Sequence, residues 1–254
     1  IEQEFIGGDW DFPGDLTGHL PDNWREFNKA YIPVFLEKHP GKTRVAAGLA
    51  CGMLHTICKG MPVGSRVLCP DGTGVYRVGE VISEYCYDPS KVLPHHRKVK
   101  WFASINRSDM SQALKNSSGS IGTVSELSKY ADEISGLISG RTPELLTHTD
   151  TSIEDPSVFA LEKHLEDFLV ANWSQTELAA EYDIFEEEGE LVGQQYPTDT
   201  GPLDILAVSK DKKTLLVVEL KKGRASDAVV GQIQRYMGYV KEELAEPGQD
   251  VKGV

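Results

Sequence analysis

No run of apolar residues in this chain approaches the ~18 consecutive positions that a membrane helix needs. Nor does a basic start lead into an apolar stretch, so neither a membrane span nor a secretory leader is expected. The first residue is Ile1, not methionine, which leaves room for residues ahead of it. Cysteine is scarce: Cys51, Cys58, Cys69 and Cys86 are the four, and no two stand in CxxC spacing. That disfavours a disulfide scaffold and fits reduced thiols in a cytoplasmic protein. Cys51, His55 and Cys58 lie close together, but in an apolar helix-like stretch without a second ligand pair, so they read as buried residues rather than a zinc site. Positive charge is short as well. The chain carries 26 Lys+Arg against 39 Asp+Glu, a net of −13. A general electrostatic hold on nucleic acid is therefore not expected, and any such affinity must come from local basic clusters or from the first domain. Internal repeats and low-complexity tracts are absent too.

The deficit is uneven. Residues 1–150 hold 16 Lys+Arg against 18 Asp+Glu, whereas residues 151–254 hold 10 against 21. Part of the acid lies in the run from Glu181 to Glu190, which reads as a solvated stretch. With 40% apolar and 26% charged residues, the composition is that of a soluble, globular chain long enough for two domains.

The second half contains the most informative pattern. Asp204 opens one apolar run, and after a polar turn over residues 209–213 a second run, Leu215 to Lys221, ends in Glu219-Leu220-Lys221. On a strand, side chains two apart share a face, so Glu219 and Lys221 emerge together while Leu220 turns inward. If the two strands pair through the turn, Asp204 approaches Glu219. Two carboxylates beside an amine suit a hard divalent cation and phosphodiester hydrolysis. Two rival motifs fail. Gly41-Lys42-Thr43 lacks the earlier glycine that a phosphate loop needs, and no helix opens after Gly72-Thr73-Gly74.

Around this pattern the elements read helix (from 159), strands near 182–185 and 191–196, the two strands above, a helix over 225–245, and the start of a strand at 251–254. Residues 141–157, polar and proline-punctuated, read as a linker. Upstream, helices are expected over 23–37 and 44–59, the second with small residues along one side. Short strands follow at 65–69, 75–87 and 99–102, as in a small, partly open β-barrel.

The order αβββαβ and the spacing Gly201-Pro202-Leu203-Asp204…Glu219-Leu220-Lys221 resemble the PD-(D/E)XK nucleases, most closely the catalytic domain of NucS-type and RecB-like endonucleases. Further pieces carry the resemblance over residues 157–254: the helix Phe159-Ala160-Leu161-Glu162-Lys163-His164-Leu165-Glu166, the approach Gln195-Tyr196-Pro197-Thr198-Asp199-Thr200-Gly201, Gly223-Arg224-Ala225-Ser226-Asp227, and Gln232-Ile233-Gln234-Arg235-Tyr236. The resemblance implies Mg²⁺ or Mn²⁺ held by Asp204, Glu219, the Leu220 carbonyl and Glu162. Lys221 would act on the attacking water, Gln232 on Lys221 or the phosphate, and Tyr236 on strand packing and the substrate backbone. Glu166, on the same helix flank as Glu162, reads as a surface acid.

Val75-Tyr76-Arg77-Val78-Gly79-Glu80-Val81, Tyr85-Cys86-Tyr87-Asp88-Pro89 and His95-His96-Arg97-Lys98-Val99-Lys100-Trp101, with Gly8-Asp9-Trp10, Gly14-Asp15-Leu16 and Gly122-Thr123-Val124, resemble the EVE/PUA-like modules of prokaryotic restriction enzymes over residues 3–138. That implies an aromatic pocket for a flipped, modified base, with Trp10, Tyr85, Tyr87 and Trp101 as walls and Asp15 as reader. Arg97, Lys98 and Lys100 would track phosphates. Ordinary core packing accounts equally for each aromatic taken alone.

The expected fold is thus α+β in two domains: residues 1–140 an EVE/PUA-like barrel with helices, 141–157 a linker, and 158–254 a restriction-endonuclease-like domain whose last strand is cut short. The expected function is a metal-dependent DNA endonuclease, active as a homodimer and cutting in response to modified bases as an anti-phage defence enzyme. A NucS-like repair nuclease for mismatches, branches or ends remains open, as does a DNA-binding module without catalysis.

Overall fold

Alternation of buried and exposed side chains along His95–Asn106 makes the longest strand of the protein, and its neighbours are arranged around it. The computed structural model describes residues 4–12, 14–119, 124–140, 165–187, 189–221 and 227–254. In chain order the elements are β1 (Phe5–Gly8), α1 (Trp24–Lys38), α2 (Arg44–His55), β2 (Arg66–Pro70), β3 (Val75–Val81), β4 (Cys86–Tyr87), β5 (His95–Asn106), α3 (Gln112–Ser118) and α4 (Ala131–Ile138). Then come α5 (described over residues 165–171), β6 (Tyr182–Ile184), β7 (Glu186–Glu187), β8 (Glu190–Leu191), β9 (Gln194–Tyr196), β10 (Leu203–Ser209), β11 (Thr214–Val218), α6 (Asp227–Tyr239) and β12 (Asp250–Gly253). The class is α+β. Among the described residues no helix is long and apolar enough to cross a membrane.

The described residues of Ile1–Phe27 and Met53–Thr147 form one unit, and those of Asn28–Gly52 and His148–Val254 form another. In the first, β5 pairs antiparallel with β1 (Phe5↔Lys98 to Gly8↔His95) and β4 through its first residues, and with β3 through the remainder. β2 lies on the far side of β3. Tyr76, Val78, Ile105, Met110 and Leu114 fill the space between this sheet and helices α3 and α4. The expected strand over 75–87 is two strands, since β3 stops at Val81; that expected over 99–102 extends to both sides.

Arg97 corrects the sequence reading. It faces inward and is 1% exposed. Its guanidinium donates to the carbonyls of Ser83 (2.6 Å), Met61 (2.9 Å), Cys58 (3.3 Å) and Ile57 (3.4 Å), closing the wide helical turn Thr56–Gly60 that ends α2. Strand parity explains the error. In a basic run on a sheet, alternate residues point inward, so Lys98 and Lys100 are exposed while Arg97 is sealed. Its five donors suit a cluster of carbonyls left over at a helix end, not a phosphate.

In the second unit β10 is central. It pairs antiparallel with β11 on one side and with β6 and β9 on the other, and β12 runs parallel to β11 after the α6 crossover. Both faces are covered, which is why these strands read as continuous apolar runs. Leu206, Leu215 and Val217 enter one core with Tyr196, Tyr236, Tyr239 and Leu244; Ile205, Ala207, Leu216 and Val218 enter the other with Trp173 and Tyr182.

The first of these cores also takes Val45 from α2. A side chain at Gly48 would meet Leu244 Cδ2 at 2.5 Å, so the small-residue face of α2 is what permits the close approach. Tyr196 Oη donates to the Val45 carbonyl at 2.7 Å, and Asn28 Nδ2 to Tyr239 Oη at 3.3 Å. Residues 28–52 therefore group with the second unit, whereas the sequence reading put them in a domain ending at residue 140. The expected linker and the opening helix up to residue 164 lie outside the described residues.

Arg97→Met leaves four carbonyls short of a donor in an otherwise intact core. We expect it to lower stability by roughly 2–3 kcal/mol, read as an earlier urea midpoint at unchanged slope. Lys98→Met at the next, exposed position should shift the midpoint very little.

Candidate active site

The hairpin β10–β11 sets the geometry. Its register runs Ile205↔Val218 to Val208↔Leu215, and one further step places Asp204 opposite Glu219. β11 ends at Val218, so Glu219, Leu220 and Lys221 follow the strand rather than belong to it. Glu219 is anchored by its own N–H, which donates to the Val254 carbonyl at 2.9 Å beside β12. Lys221 Nζ lies 3.6 Å from Glu219 Oε1, with the lysine side chain 28% exposed and the glutamate 2%. Leu220 packs into the adjoining core, as its position between them requires.

Both oxygens of Asp204 are engaged. Oδ2 accepts the Leu220 N–H at 2.7 Å, and Oδ1 accepts Gln195 Nε2 at 3.2 Å. Burial pushes this carboxyl up to about 6, and the negative charge of Glu166 adds to the shift; the Leu220 N–H, Lys221 and Gln195 oppose it. Glu166 is a second correction. Read as a surface acid, it is 2% exposed, and its oxygens accept Gln194 Nε2 (2.7 Å) and Gln195 Nε2 (2.5 Å). Helical periodicity shows which residues share a flank, but not which flank the sheet will cover. Glu162 lies outside the described residues.

On α6, Tyr236 is buried and Gln232 half-buried. Tyr236 Oη donates to the Pro202 carbonyl at 3.0 Å, two residues before Asp204, and accepts Gln232 Nε2 at 3.3 Å. Gln232 thus addresses Tyr236 rather than Lys221, and Tyr236 steadies the loop that delivers Asp204. Asp204 and Glu219 both act to raise the Tyr236 phenol, behind the larger effect of burial, while Lys221 opposes them. All three charged groups therefore bear on one place.

Oxygen donors from Asp204, Glu219 and the Leu220 carbonyl have the hardness that a small divalent cation prefers. Among the described residues, no three His, Cys, Asp or Glu side chains cluster closely enough to hold a metal. Magnesium commonly takes only one or two carboxylates, leaving its other positions to water and substrate phosphate, so the donor set fits that ion.

In the first unit, Tyr85 and Tyr87 flank the buried His95, with ring centroids 6.0 and 5.1 Å away. Tyr85 Oη lies 2.8 Å from His95 Nδ1 and accepts the Leu16 N–H at 3.1 Å. Burial is the main influence holding the His95 imidazole below its usual range. Trp10 packs on Gly8, the strand partner of His95, whereas Trp101 packs against Gly79 on β3 with the Arg77 guanidinium 5.6 Å from its ring. Asp15 is exposed and accepts the N–H and hydroxyl of Thr17. The structure sets Tyr85 and Tyr87 against His95, a residue the sequence did not single out, packs Trp10 on the neighbouring Gly8, and sets Trp101 against Gly79.

This geometry defines a two-carboxylate, one-amine site at the end of a buried strand pair. Comparison with known proteins then narrows the class. Residues 171–254 match the family model described as the Endonuclease NucS C-terminal domain, and residues 3–128 match a domain of unknown function, DUF8426. The chain is also 35% identical over 72 residues to Endonuclease NucS of Methanocaldococcus jannaschii, covering 28% of this chain and 26% of that protein. The chain thus spans about a quarter of that relative's length. No solved structure matches. These similarities support a NucS-like nuclease domain in the second unit.

Asp204 is held above its unfolded value of about 3.9, so the fold favours its protonated form. The stability this contributes is complete below about pH 4 and is lost as pH rises through about 6. In metal-free buffer Asp204→Asn, which stays neutral, should melt higher than the unsubstituted protein at pH 8 and level with it at pH 4. An equal difference at both pH values would contradict the assignment.

Proposed function

We propose that this protein is a divalent-metal-dependent endonuclease that hydrolyses phosphodiester bonds in DNA. The observation that carries this is the meeting of Asp204, Glu219 and Lys221 at the end of β10–β11, inside the segment that matches the NucS C-terminal domain. Asp204 and Glu219, with the Leu220 carbonyl, would hold Mg²⁺ or Mn²⁺, and Glu162 is proposed as a further carboxylate. Such an ion, when bound, makes water a stronger nucleophile at neutral pH and offsets charge on the phosphoryl oxygens. The protein's own part is positional. The Leu220 N–H keeps the Asp204 carboxylate in place, and Lys221, partly exposed beside Glu219, offers its amine to the attacking water and to the developing charge on phosphate. Tyr236 and Gln232 support the loop before Asp204.

The first unit is proposed as the part that reads DNA, with exposed Lys98 and Lys100 on phosphates and an EVE/PUA-like role for the aromatics around His95. Its partner is DNA bearing modified bases, in a cytoplasmic defence enzyme whose double-strand cuts would need two copies of the site. A second reading has its own support. The NucS similarity fits equally well a repair nuclease directed to mismatches, branches or ends.

The test is nicking of supercoiled plasmid with and without Mg²⁺. Asp204→Ala and Lys221→Ala should each reduce cutting by about 100-fold or more while leaving the circular dichroism spectrum unchanged. Cutting that survives both substitutions would refute the site. A panel of modified, mismatched and branched duplexes separates the two readings: preference for modified DNA supports defence, and preference for the others supports repair.

A further inference from the structure

The described part of the site contains a carboxylate–amide–carboxylate bridge that neither the metal-site pattern nor the sequence reading includes. Gln195 Nε2 donates to Glu166 Oε2 at 2.5 Å and to Asp204 Oδ1 at 3.2 Å. Two carboxylates converging on one atom require a group with two protons and no lone pair to offer, so the nitrogen end of the amide must face them. Gln195 reaches this position with φ at +51°, a left-handed backbone that glutamine seldom adopts. The neighbouring Gln194 donates to Glu166 Oε1 (2.7 Å) and to Asp167 Oδ1 (2.9 Å), so Glu166 is gripped through both oxygens. A strained residue persists when its surroundings over-determine it, and such residues gather at functional sites.

We infer that Gln195 and Glu166 are positioning residues for Asp204: Glu166 anchors the Gln195 amide, and that amide aims one oxygen of Asp204 while the Leu220 N–H aims the other. This rests on the reading of Asp204 as a metal ligand. Glu166 itself reaches Asp204 through the amide, so the role assigned to it is to orient, not to coordinate. The bridge orients the carboxylate without adding another negative donor. Partners that orient ligands in this way typically change metal affinity or activity by about 10–100-fold when removed.

The experiment titrates Mn²⁺ into the full chain, with free Mn²⁺ measured by electron paramagnetic resonance, alongside melting temperatures and cleavage rates. Gln195→Met keeps the length of the side chain and removes both donors. It should weaken Mn²⁺ binding about 10-fold or more and lower kcat, with KM for DNA little changed. Glu166→Ala should do the same. Glu166→Gln can still accept the Gln195 amide proton through its own carbonyl oxygen, so it should recover most of the lost affinity. That recovery separates orientation from direct ligation, in which the neutral amide oxygen of glutamine would replace the carboxylate poorly. Mn²⁺ affinity unchanged in Gln195→Met and Glu166→Ala, or no recovery in Glu166→Gln, would overturn the inference. Asp204→Ala distinguishes the two levels. If it abolishes Mn²⁺ binding while the other variants retain it, only the positioning role fails. If Asp204→Ala binds and cuts normally, or the unsubstituted protein binds no Mn²⁺, the metal-site reading fails and takes the inference with it.

Discussion

Everything at the candidate site follows from one pairing, the antiparallel register of β10 on β11. Ile205 opposite Val218 places Asp204 and Glu219 at the same end of the same hairpin, and the Leu220 N–H can then reach Asp204 Oδ2 at 2.7 Å. A slip of one residue would turn Asp204 toward the opposite face and drive an apolar neighbour out of its core. Each register pair stays within one core: Leu206 and Val217 in the first, Ile205 and Val218 in the second. Burial on two sides, needed for stability, is also what aims the acids.

The same burial creates an electrostatic problem that suits the proposed chemistry. Asp204, Glu166 and Glu219 are brought into a poorly hydrated region with Lys221 as the nearby amine, and Asp204 responds by holding its proton to about pH 6. A site so arranged is short of positive charge. In the proposed function a divalent cation would supply it, and a phosphate group could then be accommodated in a chain whose net charge is −13. The acidity that counts against DNA binding at the level of the whole chain is, locally, what a metal-dependent site needs.

The first unit shows the limits of composition as a guide to surfaces. His95-His96-Arg97-Lys98-Val99-Lys100 looks like a basic track, yet Arg97 closes a helix end from inside and His95 packs between two tyrosines. Only the outward residues of the alternation, Lys98 and Lys100, remain available to an anion. A helix end with surplus carbonyls can draw in a guanidinium as a phosphate can, and nothing in the local sequence tells the two apart.

The sequence by itself determined the β10–β11 hairpin, the helix and strand that follow it, and the placing of Asp204, Glu219 and Lys221 at the hairpin's end, because strand periodicity and a short turn are local properties. It also showed the small-residue face of α2. Only the tertiary structure decided what that face meets, bringing Val45 and Gly48 against Tyr196 and Leu244 from about 150 residues and more away in the chain. It likewise decided that Glu166 lies buried against Gln194 and Gln195, and that Gln195 takes a left-handed backbone to reach Asp204. Those outcomes depend on which faces are covered once sheet and helices pack, and burial of that kind is a property of the assembled unit that no single segment encodes.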